Sequence, residues 1–308
     1  VSEQRRLLLL AHPGRAEARA VARKLVDALT GHDINVRVLR DEATALGLGE
    51  VPGLELSDGG DPCRDCELVV VIGGDGTILR AAELAHDSGT PLLGVNLGHV
   101  GFLAEAEYDD VGSTIEAIVE RRYTAEDRLT IDVAVFQDGE LVTSTFALNE
   151  ASVEKAARER MLEVVVEVDG RPLSRWGCDG VVCATPTGST AYNFSAGGPV
   201  VWPGVEALLM VPISAHALFA RPLVVAPTSV LAVEVISRQA SGVLWCDGRR
   251  TVELPPGARI EVRRGARPVR LVRLHEAPFT DRLVAKFGLP VEGWRGTSER
   301  RRRGETDA

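Results

Sequence analysis

Lysine is nearly missing from this sequence: it occurs only at Lys24, Lys155 and Lys286, and every other basic side chain besides histidine is Arg. The guanidinium fork suits phosphate, but the bias runs along the whole chain and is better explained by gene base composition than by one binding surface. Positive charge is short in total as well, since the net charge is −9. General nucleic-acid binding draws its affinity from a positive surface, so that class is excluded. Cysteine is sparse too. Five of them, an odd number, do not make a disulfide framework in a chain this long. Cys63 and Cys66 form a Cys-x-x-Cys pair in a Gly/Asp/Pro-rich loop, yet no second pair or His cluster completes a zinc site. A redox clip and an ordinary loop are both open readings. No apolar run approaches the ~20 residues that cross a bilayer. The first residues run into only about five apolar positions before His12-Pro13-Gly14, too few for a signal peptide. The expectation is a cytoplasmic protein with neither a membrane nor a nucleic-acid partner.

What is present is an ordinary globular composition, 45% hydrophobic and 26% charged over 308 residues, long enough for two domains. Leu7–Ala11 and Leu68–Ile72 are continuous apolar runs of the kind buried on both faces of a sheet. Between and after them, helical spacing appears at Val21, Leu25, Ala28 and Leu29, then from about Thr77 to His86, and again from an Asp109 cap to about Arg121. Ile34–Leu39 and Pro91–Asn96 read as further strands. This alternation predicts an α/β domain with a Rossmann-like parallel sheet.

The pattern changes near residue 125. Thr130–Phe136 and Glu140–Leu148 flank Asp138-Gly139, a hairpin signal that recurs at Asp169-Gly170. Short Val-rich runs with Gly and Pro punctuation follow as far as Leu274, which predicts a β-rich, sandwich-like domain. The expected organisation is 1–125 as the α/β domain, 126–275 as the all-β domain, and 276–297 as a segment packing back on the first domain. Residues 298–308, with Arg300 to Arg303, read as a disordered tail.

Gly73-Gly74-Asp75-Gly76-Thr77 stands at the carboxyl end of the clearest strand, just ahead of a helix, where open parallel sheets bind ligands. The glycines let backbone approach a phosphate, and a helix N-terminus presents free N–H groups to it. The stretch is neither a P-loop, which needs Gly-Lys-Ser/Thr, nor a dinucleotide fingerprint, whose third glycine is lacking. A carboxylate in the middle of such a loop repels phosphate unless it holds a metal or accepts a proton, and phosphoryl transfer needs both. The plainer reading makes Asp75 a turn residue.

The second dense stretch is Gly177-Cys178-Asp179-Gly180 followed by Thr185-Pro186-Thr187-Gly188-Ser189-Thr190-Ala191-Tyr192-Asn193-Phe194-Ser195 and Gly197-Gly198-Pro199. Its hydroxyls and small residues suit a planar, hydroxyl-rich ligand better than they suit a core. Asn149-Glu150, an amide beside a carboxylate at a strand end, suits ribose hydroxyls and a base edge.

In order and spacing these motifs resemble the NAD kinase family of bacterial type. The resemblance extends to Gly94-Val95-Asn96-Leu97-Gly98-His99-Val100-Gly101-Phe102-Leu103 and to Trp245-Cys246-Asp247-Gly248, so it covers about residues 5 to 295. Gly-Gly-Asp-Gly by itself is shared with lipid kinases and sugar kinases of the phosphofructokinase type, whereas the Thr185–Tyr192 stretch is far more specific. The resemblance implies transfer of a phosphoryl group from ATP, or polyphosphate, to the 2′-hydroxyl of the adenosine ribose of NAD. It implies Asp75 as catalytic, Gly73, Gly74, Gly76 and Thr77 as the phosphate loop, and Arg80 and Arg160 as basic contacts, with Arg158 the alternative to Arg160. Asp75, Gly76, Asn149, Glu150, Asp179, Thr190, Ala191, Tyr192, Asn193, Phe194 and Ser195 are implied to hold NAD. Mg²⁺ or another divalent cation, with no ligands assigned, and a homodimer or homotetramer complete the expectation. Another kinase of the diacylglycerol-kinase/phosphofructokinase-like superfamily and a non-catalytic NAD(P)-sensing module are the alternatives.

Overall fold

Four successive leucines, Leu7 to Leu10, are all buried, which a strand permits only when its sheet is covered on both faces. The computed structural model describes residues 4–12, 14–49, 51–98, 101–105, 110–158, 160–237, 240–275 and 277–291. The first part runs β1 (Arg6–Ala11), α1 (Ala16–Gly31), β2 (Asn35–Leu39), α2 (Arg40–Leu46), β3 (Leu54–Ser57), β4 (Leu68–Ile72), α3 (Asp75–Ala85), β5 (Leu92–Val95), α4 (Val111–Val119) and β6 (Thr124–Arg128). The second continues with β7 (Ile131–Gln137), β8 (Glu140–Ala147), β9 (Glu150–Lys155), β10 (Leu162–Val168), β11 (Arg171–Cys178) and β12 (Gly180–Ala184). A tight helical turn at Thr187–Thr190 and the short α5 (Tyr192–Ser195) lead to β13 (Leu208–Ile213), β14 (Leu223–Val225), β15 (Leu231–Val235), β16 (Gly242–Cys246) and β17 (Arg250–Leu254). The described chain ends with β18 (Arg259–Arg264), β19 (Val269–Arg273) and α6 (Phe279–Phe287).

The first sheet has the order β3-β2-β1-β4-β5-β19-β6. Its first five strands are parallel, as strand–helix alternation requires. On one face α1 buries Ala18, Val21, Ala22, Leu25, Val26 and Leu29, the i, i+3, i+4, i+7 stripe of a core-facing helix. Residues of α2 and α4 share that core. On the other face lie Ile78, Ala81, Ala82 and Ala85 of α3 together with Phe146 and Leu148 from the second part of the chain.

The second part forms two antiparallel six-stranded sheets, ordered β11-β10-β15-β18-β7-β8 and β14-β13-β12-β9-β16-β17. Alternate residues of both enclose one core: Val133, Val164 and Val233 from the first, Val153, Val181 and Leu244 from the second. The Asp138-Gly139 and Asp169-Gly170 turns carry positive φ at both residues, 52° and 83°, 53° and 72°, the primed geometry that suits two-residue hairpins. The architecture is the α/β domain plus β-sandwich that the residue patterns predict.

Differences in detail have physical causes. The first sheet is completed by β6 and β19, so the stretch read as one β-rich unit, 126–275, contributes both its ends to that sheet. Edge pairing is made by backbone groups and leaves little trace in side-chain pattern. The α2 helix is too short to show a period, and Glu42 is among its three buried residues. The expected Asp109 cap lies outside the described residues, and Asp110 precedes α4. Residues 298–308 also lie outside them. Cys63 and Cys66 are free thiols, pushed up by burial to about 12 and about 11 respectively, which leaves little thiolate for exchange. Among the described residues no helix is long and apolar enough to cross a membrane.

Candidate active site

The strand order 3-2-1-4-5 reverses direction between β1 and β4, and ligands of open α/β sheets bind in the crevice outside the carboxyl ends at such a point. Gly73–Thr77 occupies that place, since β4 ends at Ile72 and α3 begins at Asp75. The His12 N–H donates to the Ile72 carbonyl at 3.1 Å, tying the ends of the two strands together.

Asp75 is partly exposed, and its carboxylate is held from across the crevice. Its Oδ2 accepts the Phe102 N–H at 3.2 Å and its Oδ1 accepts the Leu103 N–H at 3.2 Å. So close an approach requires glycine at 101, where a Cβ would lie 2.4 Å from Asp75 Oδ1. Gly101, Phe102 and Leu103 thus acquire a role that the motif's spacing did not disclose: a backbone cradle for the carboxylate. Arg80, further along α3, is ion-paired to Glu42 of α2. Glu42 also accepts the Ala11 N–H at 3.1 Å, so the guanidinium is tethered at the same carboxyl edge of the sheet.

Leu148 shares a core with Ile78 of α3, which brings the following Asn149-Glu150 towards the crevice. Their placement depends on Asp247, a buried residue in the β16–β17 turn. Asp247 accepts the Leu148 N–H at 3.0 Å and the Asn149 N–H at 2.7 Å, and pairs with Arg250 at 2.8 Å. Burial still pushes its carboxyl up, although these bonds oppose the shift. Glu150 is 7% exposed, and one of its carboxyl oxygens, Oε2, is buried without a hydrogen-bond partner among the described residues. Burial, and then Asp247, push the Glu150 carboxyl up to about 8, against the opposing effect of a hydrogen bond from the Tyr192 backbone N–H.

The 185–199 run lies on the outer face of the β12–β9 sheet. Val182 and Ala184 of that face pack with Tyr192, Ala196 and Val201, while Val181 and Cys183 face the sandwich core. Along β9, Glu150, Ser152 and Glu154 alternate with the core-facing Ala151 and Val153. The Tyr192 hydroxyl is pushed up by burial and by its hydrogen bond and proximity to Glu154. Asp179 pairs with Lys155 at 2.5 Å, and chiefly that bond holds its carboxyl below the usual carboxylate range.

The hydroxyl-rich run divides in two. Thr185 Oγ1 donates to the Leu148 carbonyl at 2.6 Å, and Ser189 Oγ donates to the Val201 carbonyl at 3.1 Å; these side chains build the loop. Thr190, Ala191 and Tyr192 are half-buried, and Phe194 and Ser195 are exposed. Asn193 is the buried residue of α5, and its Oδ1 is left without a hydrogen-bond partner among the described residues. Its side chain is 0% exposed and its amide nitrogen donates to the Ser189 and Pro199 carbonyls at 3.2 and 3.1 Å, because a loop this poor in apolar residues is held by internal hydrogen bonds. Arg160 lines a separate cavity with Met161, Glu163, Arg175 and Ser237.

A partly exposed carboxylate at a glycine-flanked helix start has the chemistry to accept a proton from a ligand hydroxyl. Residues that sequence reasoning left without a role are Glu42, Glu154 and Asp247; of these only Asp247 lay in a motif, Trp245-Cys246-Asp247-Gly248.

Comparison with known proteins points the same way. Residues 7–123 match the ATP-NAD kinase N-terminal domain family and residues 148–274 the ATP-NAD kinase C-terminal domain family. The NAD kinase of Thermobifida fusca is 60% identical over 96% of this chain and 93% of its own length. NAD kinase 2 of Streptomyces coelicolor is 64% identical over 95% and 97%. The crystal structure of yeast NADH kinase complexed with NADH superposes with a TM-score of 0.86 at 25% identity, covering 94% of this chain and 89% of that one. An NAD kinase from Archaeoglobus fulgidus in complex with ATP gives 0.68 at 26% identity, covering 91% and 98%.

Proposed function

The chain belongs to the NAD kinase family, and on that premise we propose that Asp75 is the base that prepares the 2′-hydroxyl of the adenosine ribose of NAD for phosphoryl transfer from ATP. The product is NADP. The observation that carries this assignment is the Asp75 carboxylate itself, steadied by two backbone N–H groups at the switch point of the sheet.

In this reading Asp75 orients the hydroxyl and takes its proton. The Gly73–Thr77 backbone receives the donor phosphates, with Arg80 close by. Asn149, Glu150 and Asp179 hold ribose hydroxyls and a base edge, and Thr190, Ala191, Tyr192, Phe194 and Ser195 line the ligand. Asn193 and the basic side chain of Arg160 complete the proposed set of NAD contacts. Most of the acceleration comes from positioning, because a loose phosphoryl-transfer transition state asks little covalent help.

Mg²⁺ is the proposed cofactor, with no protein ligands assigned: among the described residues no group of three or more carboxylates, histidines or cysteines would hold it alone. A phosphate-bound Mg²⁺ usually needs only one or two protein carboxylates, so the donor phosphates would supply much of its binding. When bound, such an ion offsets negative charge on the donor phosphates.

A homodimer or homotetramer in the cytoplasm completes the proposal. Edge strand β8 supports the assembly, since it exposes Leu141 and Val142, apolar residues that an edge ordinarily avoids. The test is NADP formation from NAD with ATP and Mg²⁺, read by a coupled dehydrogenase. Turnover with ATP supports the assignment; turnover with polyphosphate alone changes the donor; none with either sinks it.

A further inference from the structure

The cradle that holds Asp75 is itself gripped from outside. Arg282, on α6, donates through Nη1 to the Phe102 carbonyl at 3.3 Å and the Ala104 carbonyl at 2.9 Å. Its Nη2 pairs with Glu105, a carboxylate only 2% exposed that also pairs with Arg273 of β19 at 2.7 Å. The Glu105 N–H donates to the Gly94 carbonyl at 2.9 Å, which anchors the segment to β5.

One covalent fact links this grip to the crevice. The carbonyl of Phe102 and the N–H of Leu103 belong to a single planar peptide group. Arg282 binds the oxygen end of that plane and Asp75 the hydrogen end. A shift or rotation of the peptide at one end therefore moves the other.

No side chain of α6 is fully buried against a core. The helix is seated by aromatic contacts instead. The Phe102 ring lies 5.9 Å from both Phe279 and Phe287, and Phe287 stacks on Phe194 at 4.6 Å. Trp202 meets Phe279 edge-on at 5.3 Å. The helix thus touches the cradle on one side and the loop proposed to line NAD on the other.

We propose that Arg282 is a positioning residue for phosphoryl transfer, setting the place of the Asp75 carboxylate through the Phe102–Leu103 peptide. The inference rests on the role of Asp75 given above. It assigns no substrate contact to Arg282, so its effect belongs to turnover rather than to binding.

The experiment is a double-mutant cycle on the full chain, with kcat, the KM for NAD and ATP, and Tm measured for wild type, Arg282→Ala, Asp75→Asn and the double variant. Arg282→Ala is expected to lower kcat about 10- to 100-fold, the scale of a small misplacement of a reacting group. Both KM values are expected to stay within about threefold. In the Asp75→Asn background the same change is expected to add little, because its route of action is already gone. Arg282→Lys keeps the charge but cannot span two carbonyls and a carboxylate, so an intermediate kcat is expected; it stands in if the alanine variant does not fold. Unchanged kcat, a loss confined to KM, or fully additive losses in the cycle would each overturn the proposal. Wild-type protein that makes no NADP removes the proposed role of Asp75 and this inference together. Wild-type turnover with an unaffected Arg282→Ala removes this inference alone.

Discussion

Gly188 presses so closely on Asn149 that a Cβ at 188 would lie 2.0 Å from the Asn149 carbonyl oxygen. The neighbouring Thr185 N–H donates to that same carbonyl at 2.9 Å, so the backbone at 149 cannot retreat without losing a bond. Gly188→Ala is expected to destabilise the protein by about 2–3 kcal/mol, as overpacking against backbone does. It is also expected to raise the KM for NAD. Urea unfolding and steady-state kinetics check both, and a variant with wild-type midpoint and KM would show that the loop can shift freely.

Asp75→Asn keeps the shape of the carboxylate and one oxygen for the Phe102 and Leu103 amides, but removes the proton acceptor. Turnover is expected to fall about 10²–10⁴-fold, the usual contribution of a positioned base. NAD affinity, measured by calorimetry, is expected to remain within a few fold. Near-normal turnover would remove Asp75 from the chemistry.

Asp247→Ala strips the buried Leu148 and Asn149 N–H groups of their acceptor and leaves Arg250 without its carboxylate. Leaving such groups unpaired costs about 2–5 kcal/mol. The loss is expected in chemical denaturation, together with weaker NAD binding, because Asn149-Glu150 is no longer pinned. A change under about 0.5 kcal/mol, the level of an ordinary surface substitution, would contradict this account of the turn.

Glu150 makes stability depend on pH with a definite sign. Burial and the facing Asp247 raise its folded carboxyl to about 8 from an ordinary 4.5, with Glu154 adding to the shift and the Tyr192 N–H opposing it. Arg250 stands behind Asp247 in the same cluster. Between those two values the unfolded chain binds fewer protons than the folded one, so this contribution to stability is full below 4.5 and is lost as pH rises through 8. Glu150→Gln does not titrate. Its Tm relative to wild type is expected to climb between about pH 5 and about pH 9. A constant difference across that range would show that Glu150 ionises at its ordinary pKa.

Much of this molecule is legible along the chain. The apolar run Leu68–Ile72 followed by two glycines specifies a buried strand and a sharp exit, and the spacing of Val21, Leu25 and Leu29 specifies which face of α1 is buried. Asp-Gly pairs announce their hairpins because positive φ is a property of the residues themselves. The Gly73–Thr77 loop could be placed at a strand end for the same local reasons.

Partner choice between distant polar groups is another matter. Asn193 and Ser195 look alike as polar loop residues, yet one is sealed within its own loop and the other is exposed. Nothing near Asp247 announces that its carboxylate serves the amides of residues 148 and 149, and nothing near Arg282 announces the peptide that Asp75 holds. Hydrophobic period and turn preference are set by adjacent residues, so they can be read in order. Which buried carboxylate meets which amide depends on surfaces that meet only when α3, the β-sandwich and α6 pack, and desolvation then makes each such pairing compulsory.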